Sequence, residues 1–243
     1  MGIKSTMAFT GLAIAITGAP ATAATFSYNA TDIDVKNENA GKFKHISTTY
    51  DDESDLFSWS STFSRAPKGT LAEAAWLVVN NGPNPRKNST ENVIFYMDGI
   101  KGQVSAYNYN GKKGAKSYLS SDLIATTHLD VDDSGDERTL SFNLDMTDIN
   151  GMTDKYGSDW QGTSFDEKIG IWFHGLDNTS IDYDKNGRLT DFSFKGRSRS
   201  VLDIADEHTN GSESVPEPGT AAAIGMTVAA AAFTKLRKRS ATA

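Results

Sequence analysis

Turn dipeptides ending in glycine recur along this 243-residue chain, and their spacing restricts the fold more than any other feature. They are Asn81-Gly82, Asp98-Gly99, Asn110-Gly111, Ser134-Gly135, Asn150-Gly151 and Asn186-Gly187. Such pairs tolerate the positive φ that a tight reversal between antiparallel strands requires. Between them lie short continuous apolar runs, Trp76-Leu77-Val78-Val79 and Val93-Ile94-Phe95-Tyr96-Met97, of the length of strands in a sandwich core. Apolar residues alternate with polar ones at Phe57, Trp59 and Phe63, and again at Leu140, Phe142 and Leu144, the mark of strands with one wet face. No stretch sustains a 3.6-residue period, so helix is expected only as single turns, at 70–75 or 121–126. The body is therefore read as all-β, a β-sandwich.

The clearest local unit spans 92–110. An apolar strand ends at Asp98-Gly99, the chain reverses through Lys101-Gly102, and a second run, Gln103-Val104-Ser105-Ala106-Tyr107-Asn108-Tyr109, ends at Asn110-Gly111. This strand-turn-strand unit resembles the hairpins of laminin-G and legume-lectin domains. The resemblance implies a jelly-roll, lectin-like sandwich and no activity.

Charge and cysteine content exclude several classes of function. Residues 24–214 hold 19 basic against 30 acidic side chains, a net charge of −11. A surface that acidic repels phosphate backbones, so no nucleic-acid partner is expected. The chain has no cysteine, which removes disulfides, thiolate metal sites and cysteine nucleophiles. The histidines, His45, His128, His174 and His208, show no metal-ligand spacing, and no Gly-x-Ser-x-Gly elbow or phosphate loop occurs. No catalytic residue is assigned. A polysaccharide hydrolase stays open as an alternative, since it needs only two carboxylates across a groove.

Two acidic turns are candidates for calcium. In Asp182-Tyr183-Asp184-Lys185-Asn186-Gly187, oxygen ligands fall at positions one, three and five before a glycine, the opening of a calcium loop. Position twelve is Ser193, not the bidentate Glu of an EF-hand, and the flanks at 179–183 and 189–194 read as strands. A calcium-binding turn with ligands Asp182, Asp184 and Asn186 stands beside a plain Asn-Gly hairpin. The second turn, Asp130-Val131-Asp132-Asp133-Ser134-Gly135-Asp136-Glu137, needs only solvent to screen its charges. Aromatic rings supply the remaining hint, because sugar rings stack on flat aromatic faces. Trp160, in a Gly/Ser/Asp-rich loop, and Tyr107 and Tyr109, on one strand face, are the candidate ligand-binding residues, with packing as the alternative for each.

The ends are built differently from the body. Residues 1–23 carry Lys4, a short apolar run and the small residues Ala21-Thr22-Ala23, the layout of a signal peptide cleaved after Ala23. The body at 24–208 is followed by a polar linker, 209–214, and then by Val215-Pro216-Glu217-Pro218-Gly219-Thr220. Next come an Ala-rich apolar run at 221–233 and the basic cluster Lys235-Leu236-Arg237-Lys238-Arg239. A 13-residue helix spans near 20 Å against roughly 30 Å of hydrocarbon, which suits transient insertion more than permanent anchoring. This order resembles the PEP-CTERM sorting segment of Gram-negative bacteria, with Pro216, Glu217 and Pro218 matching its motif. The segment Ala75-Trp76-Leu77-Val78-Val79-Asn80-Asn81-Gly82 is also similar to the bodies of other such proteins. The resemblance implies export, processing by signal peptidase and an exosortase, and a place at the cell surface or in an exopolysaccharide matrix. The expected role is structural or carbohydrate-associating, with a purely adhesive protein lacking a small ligand as a further alternative.

Overall fold

The chain opens with three strands, β1 (Thr25–Thr31), β2 (Lys42–Asp51) and β3 (Leu56–Ser64). There follow β4 (Ala74–Asn80), β5 (Val93–Asp98), β6 (Gln103–Asn108) and β7 (Leu123–His128). Next come β8 (Asp130–Ser134) and β9 (Glu137–Asp145), then β10 (Gly170–Asp177), β11 (Ser180–Tyr183), β12 (Leu189–Ser193) and β13 (Gly196–Asp203). Single helical turns α1 (Lys116–Leu119), α2 (Thr147–Asn150) and α3 (Thr153–Tyr156) sit in connections. The structure, a computed structural model, describes residues 24–203 apart from 32, 34–37, 68, 83, 84, 88, 113–115 and 120. The segments expected to be a signal peptide (1–23), a linker (209–214) and a sorting segment (215–243) lie outside the described residues.

Two antiparallel sheets face each other. One has the order β1-β2-β3-β9-β8 and the other β13-β10-β4-β5-β6-β7. The β3 alternation turns Phe57, Trp59 and Phe63 inward, where they meet Phe142 of β9 and Phe95 and Phe173 of the opposite sheet. Phe57 stacks on Phe95 at 5.5 Å and Trp59 meets Phe173 edge-on at 5.1 Å. Each ring so buried contributes about 1.5–3 kcal/mol from apolar area alone. The sheets approach closely at Gly175, where a Cβ would stand 2.6 Å from a ring carbon of Phe63. The all-β sandwich expected from the turn spacing is what the chain forms.

A third layer explains why β4 and β5 read as continuous apolar runs. In β4 the side chains of Ala75, Leu77 and Val79 enter the core between the sheets, while Ala74, Trp76 and Val78 enter a second core on the other face. The β11-β12 hairpin and α1 cover that face, bringing Leu189, Phe192 and Tyr118 onto Trp76, Tyr96 and Tyr107. The six-stranded sheet is thus buried on both sides over its centre. Polar bonds hold the cover down. The Tyr183 hydroxyl donates to Asp98 Oδ2 at 2.8 Å, and the backbone N–H groups of Ile100 and Lys101 donate to Asp98 Oδ1 at 3.0 Å each. Asp98 is fully buried, so these bonds replace the water its carboxylate has lost. Burial first, and the Asp98 carboxylate second, push the Tyr183 hydroxyl far above its usual pKa.

The expected helical turns are corrected. Residues 74 and 75 open β4, and 123–126 belong to β7, which pairs with β6 through Val104↔Thr127 and Ala106↔Ala125. Burial of the interior strand β4 on both faces, and pairing of the half-buried edge strand β7, outweigh the weak helical preference of such short segments.

Candidate functional site

The sugar-stacking expectation meets a correction first, because all three candidate rings are covered. Tyr107 is fully buried on the outer face of β6, and its hydroxyl accepts from the Leu189 N–H at 2.9 Å. Tyr109 is buried against Trp172 at 5.5 Å and donates to the Arg86 carbonyl at 3.3 Å. The pair does share one face, as its spacing predicts, but the hairpin layer lies over it. Trp160 is 5% exposed, faces Tyr156 at 4.4 Å, and donates from Nε1 to the Ile149 carbonyl at 2.7 Å. Its Gly-rich loop folds back over α2, tied by the Asn150 side chain, which accepts from Thr163 N–H at 2.9 Å. None of the three presents a free ring to a ligand.

The calcium candidates sit in a hairpin whose flanks are the expected strands. Asp184 Oδ1 accepts the backbone N–H groups of Asn186 at 2.8 Å and Arg188 at 3.0 Å, and the Gly187 N–H donates to the Asp184 carbonyl. Asp184 thereby organises the turn through bonds of its own. Asp182 lies two residues earlier, in β11, exposed and paired in register with Asp191 across the hairpin. Asn186 is exposed at the tip. The structure therefore gives Asp184 a turn-forming role and leaves Asp182 and Asn186 exposed on the hairpin. The second acidic turn is the β8-β9 hairpin. There Arg138 grips Asp133 with two bonds, Nε to Oδ1 at 2.5 Å and Nη2 to Oδ2 at 2.8 Å, and this holds the Asp133 carboxyl below the usual range.

The feature that sequence reasoning missed is the outer face of the five-stranded sheet. Alternation puts Phe57, Trp59, Leu140 and Phe142 inside, and so puts small polar residues outside. The register aligns them in rows across the strands. One row runs Ser27, Thr49, Ser58, Asn143, and the next runs Asn29, Ser47, Ser60, Ser141, Asp130. A third runs Thr31, His45, Thr62, Thr139, Asp132, in which the Thr62 and Thr139 hydroxyls bond each other at 2.9 Å. Neighbours within a row are about 4.8 Å apart and rows about 7 Å apart.

Over the middle of these rows the face dips into a hollow of about 290 Å³. Its lining is Ser47, Thr48, Thr49, Ser58, Trp59, Ser60, Asp130, Ser141, Phe142 and Asn143. Trp59 and Phe142 are buried core residues closing it from beneath, so the surface offered to a ligand is hydroxyl and amide with one carboxylate. Such groups both donate and accept, the match for a polyhydroxylated ligand. A signal for it was present in the sequence: β3, Leu-Phe-Ser-Trp-Ser-Ser-Thr-Phe-Ser, carries no charged side chain although one face is open.

Among the described residues no helix is long and apolar enough to cross a membrane; the apolar run at 221–233 and the motif Pro216, Glu217, Pro218 lie outside them. No protein-family model matches the chain, and no curated protein matches it.

Proposed function

We propose that the protein is exported, sorted to the cell surface through its C-terminal segment, and associates there with extracellular polysaccharide through the hydroxyl-lined face. The observation that carries the binding half is the hollow itself, a polar, concave, almost uncharged patch on an otherwise acidic body. A hydroxyl-to-hydroxyl bond exchanges one partner for water and nets only about 0.5–1.5 kcal/mol. Useful affinity on such a surface comes from many weak contacts along a polymer, not from one deep grip on a single sugar. The order of Pro216-Glu217-Pro218, apolar run and basic cluster supports sorting by an exosortase, with transient insertion in the membrane. A lectin-like jelly roll is the sandwich type that fits this role.

Binding is preferred to hydrolysis because the described lining holds a single carboxylate, Asp130, where hydrolysis of a glycosidic bond calls for two. The burial of every tryptophan favours a second reading, a structural matrix protein with no small ligand. Two variants test the proposal. Ser60→Arg and Ser141→Arg each drop a long side chain into the hollow from solvent-facing positions, leaving the core intact, and should abolish retention on immobilised matrix polysaccharide. Replacing Pro216, Glu217 and Pro218 together by Ala should leave the chain unprocessed in a host with the matching exosortase. Unchanged retention argues for the structural reading, and unchanged processing removes the sorting assignment.

A further inference from the structure

The hydroxyl face is not electrically uniform. The central row stays neutral across four strands, from Asn29 to Ser141, and ends on β8 at Asp130; the adjacent row ends at Asp132. Both carboxylates stand on the outward side of β8. Arg138 does not neutralise them, because it is turned to the opposite side, bound to Asp133 and to the Ala72 carbonyl. His128 Nε2 approaches Asp130 Oδ1 at 3.3 Å, but the two side chains are 76% and 74% exposed, so the imidazole can swing aside at small cost. The hollow thus has a hydroxyl floor and an anionic end, on a body whose net charge of −11 opposes polyanions.

We infer that the hollow takes an amino-sugar chain with free amines, its hydroxyls over Ser47, Ser60 and Ser141 and one ammonium at Asp130. The inference rests on the reading of the hollow as a polysaccharide site and adds the chemical class of the sugar. Hydroxyl contacts alone discriminate poorly, since water serves each group nearly as well. An ammonium donating to a carboxylate makes a bond roughly twice as strong as a neutral one, and Asp130 is the one charged group in the lining that can accept it.

The test titrates the exported protein, at low salt, with three oligomers of equal length: glucosamine, N-acetylglucosamine and galacturonic acid. The free-amine oligomer should bind about fivefold more tightly than the acetylated one, as an exposed ion pair provides. Added salt should shrink that ratio, and Asp130→Asn, with an unchanged melting temperature, should bring it to one. Equal binding of the free and acetylated oligomers overturns the inference and leaves the polysaccharide reading standing. So does a ratio that survives Asp130→Asn, or tighter binding of the galacturonate. Binding of none of the three overturns both.

Discussion

Substitution of Trp160 separates a residue that binds from a residue that packs. Its ring lies 4.4 Å from that of Tyr156, it is 5% exposed, and its Nε1 donates to the Ile149 carbonyl at 2.7 Å. Trp160→Phe keeps most of the apolar contact but leaves that buried carbonyl without its donor, a loss of about 1–2 kcal/mol. Trp160→Ala also opens a cavity at the sandwich end, and the total rises to about 3–5 kcal/mol. At about 2–4 °C per kcal/mol for a chain of this size, the expected fall in melting temperature is about 2–8 °C for Phe and about 6–20 °C for Ala. Far-ultraviolet circular dichroism during heating reads the fall, and polysaccharide retention is measured on the same samples below the transition. Retention should stay at the wild-type level for both variants. A Trp160→Ala protein that melts with the wild type yet loses retention would refute the reasoning, because it would make the ring a ligand contact.

Three further outcomes follow from the contacts. Tyr183→Phe removes the hydroxyl that donates to Asp98 Oδ2 and should destabilise the protein by about 1–3 kcal/mol in urea unfolding, since that buried oxygen then lacks its donor while Oδ1 keeps the Ile100 and Lys101 N–H groups; an effect near zero would mean water reaches Asp98. Arg138→Ala should cost about 1 kcal/mol at neutral pH, discounted for the exposure of Asp133. Because Arg138 lowers the Asp133 pKa, that stabilisation is complete above the unfolded value near 3.8 and is lost as pH falls through the folded value, so the variant and wild-type stabilities should converge toward low pH; a gap that widens in acid would contradict the assignment. Asp184→Ala should lower the melting temperature equally with calcium and with chelator, through the loss of two turn bonds worth about 1 kcal/mol together; a loss seen only with calcium would make the Asp182 loop a metal site.

Turn chemistry placed three of the hairpins in the sequence, whereas Asn150-Gly151 ends the helical turn α2 and joins no pair of strands. Asp98-Gly99 does open the β5-β6 hairpin, Ser134-Gly135 joins β8 to β9, and Asn186-Gly187 caps β11 and β12, because each reversal needs a residue at ease with positive φ or a side chain that bonds its own turn. Layering was not legible. A continuous run such as Ala74–Val79 says that both faces are buried and leaves open what buries the second, so Tyr107 and Tyr109 could be placed on a face without showing that a later hairpin covers it. Trp160 misled for a related reason: a loop rich in Gly, Ser and Asp looks exposed, and only the tertiary bonds through Asn150 and Ile149 draw its ring inside. The hydroxyl face left only one trace in the sequence, the absence of charge in β3. Ser and Thr at alternate positions satisfy any wet strand, and it takes the register of five strands to show Ser47, Ser60 and Ser141 in line.

Amide chemical-shift mapping of the protein with a soluble glucosamine oligomer tests the central claim most directly, since it reports where a glycan sits as well as whether it binds. The account predicts shifts concentrated at Ser47, Ser58, Ser60, Ser141 and Asp130, with the β11-β12 hairpin and the Trp160 loop unmoved. Saturable shifts confined to that hairpin or loop, or no shifts at millimolar oligomer, would contradict it.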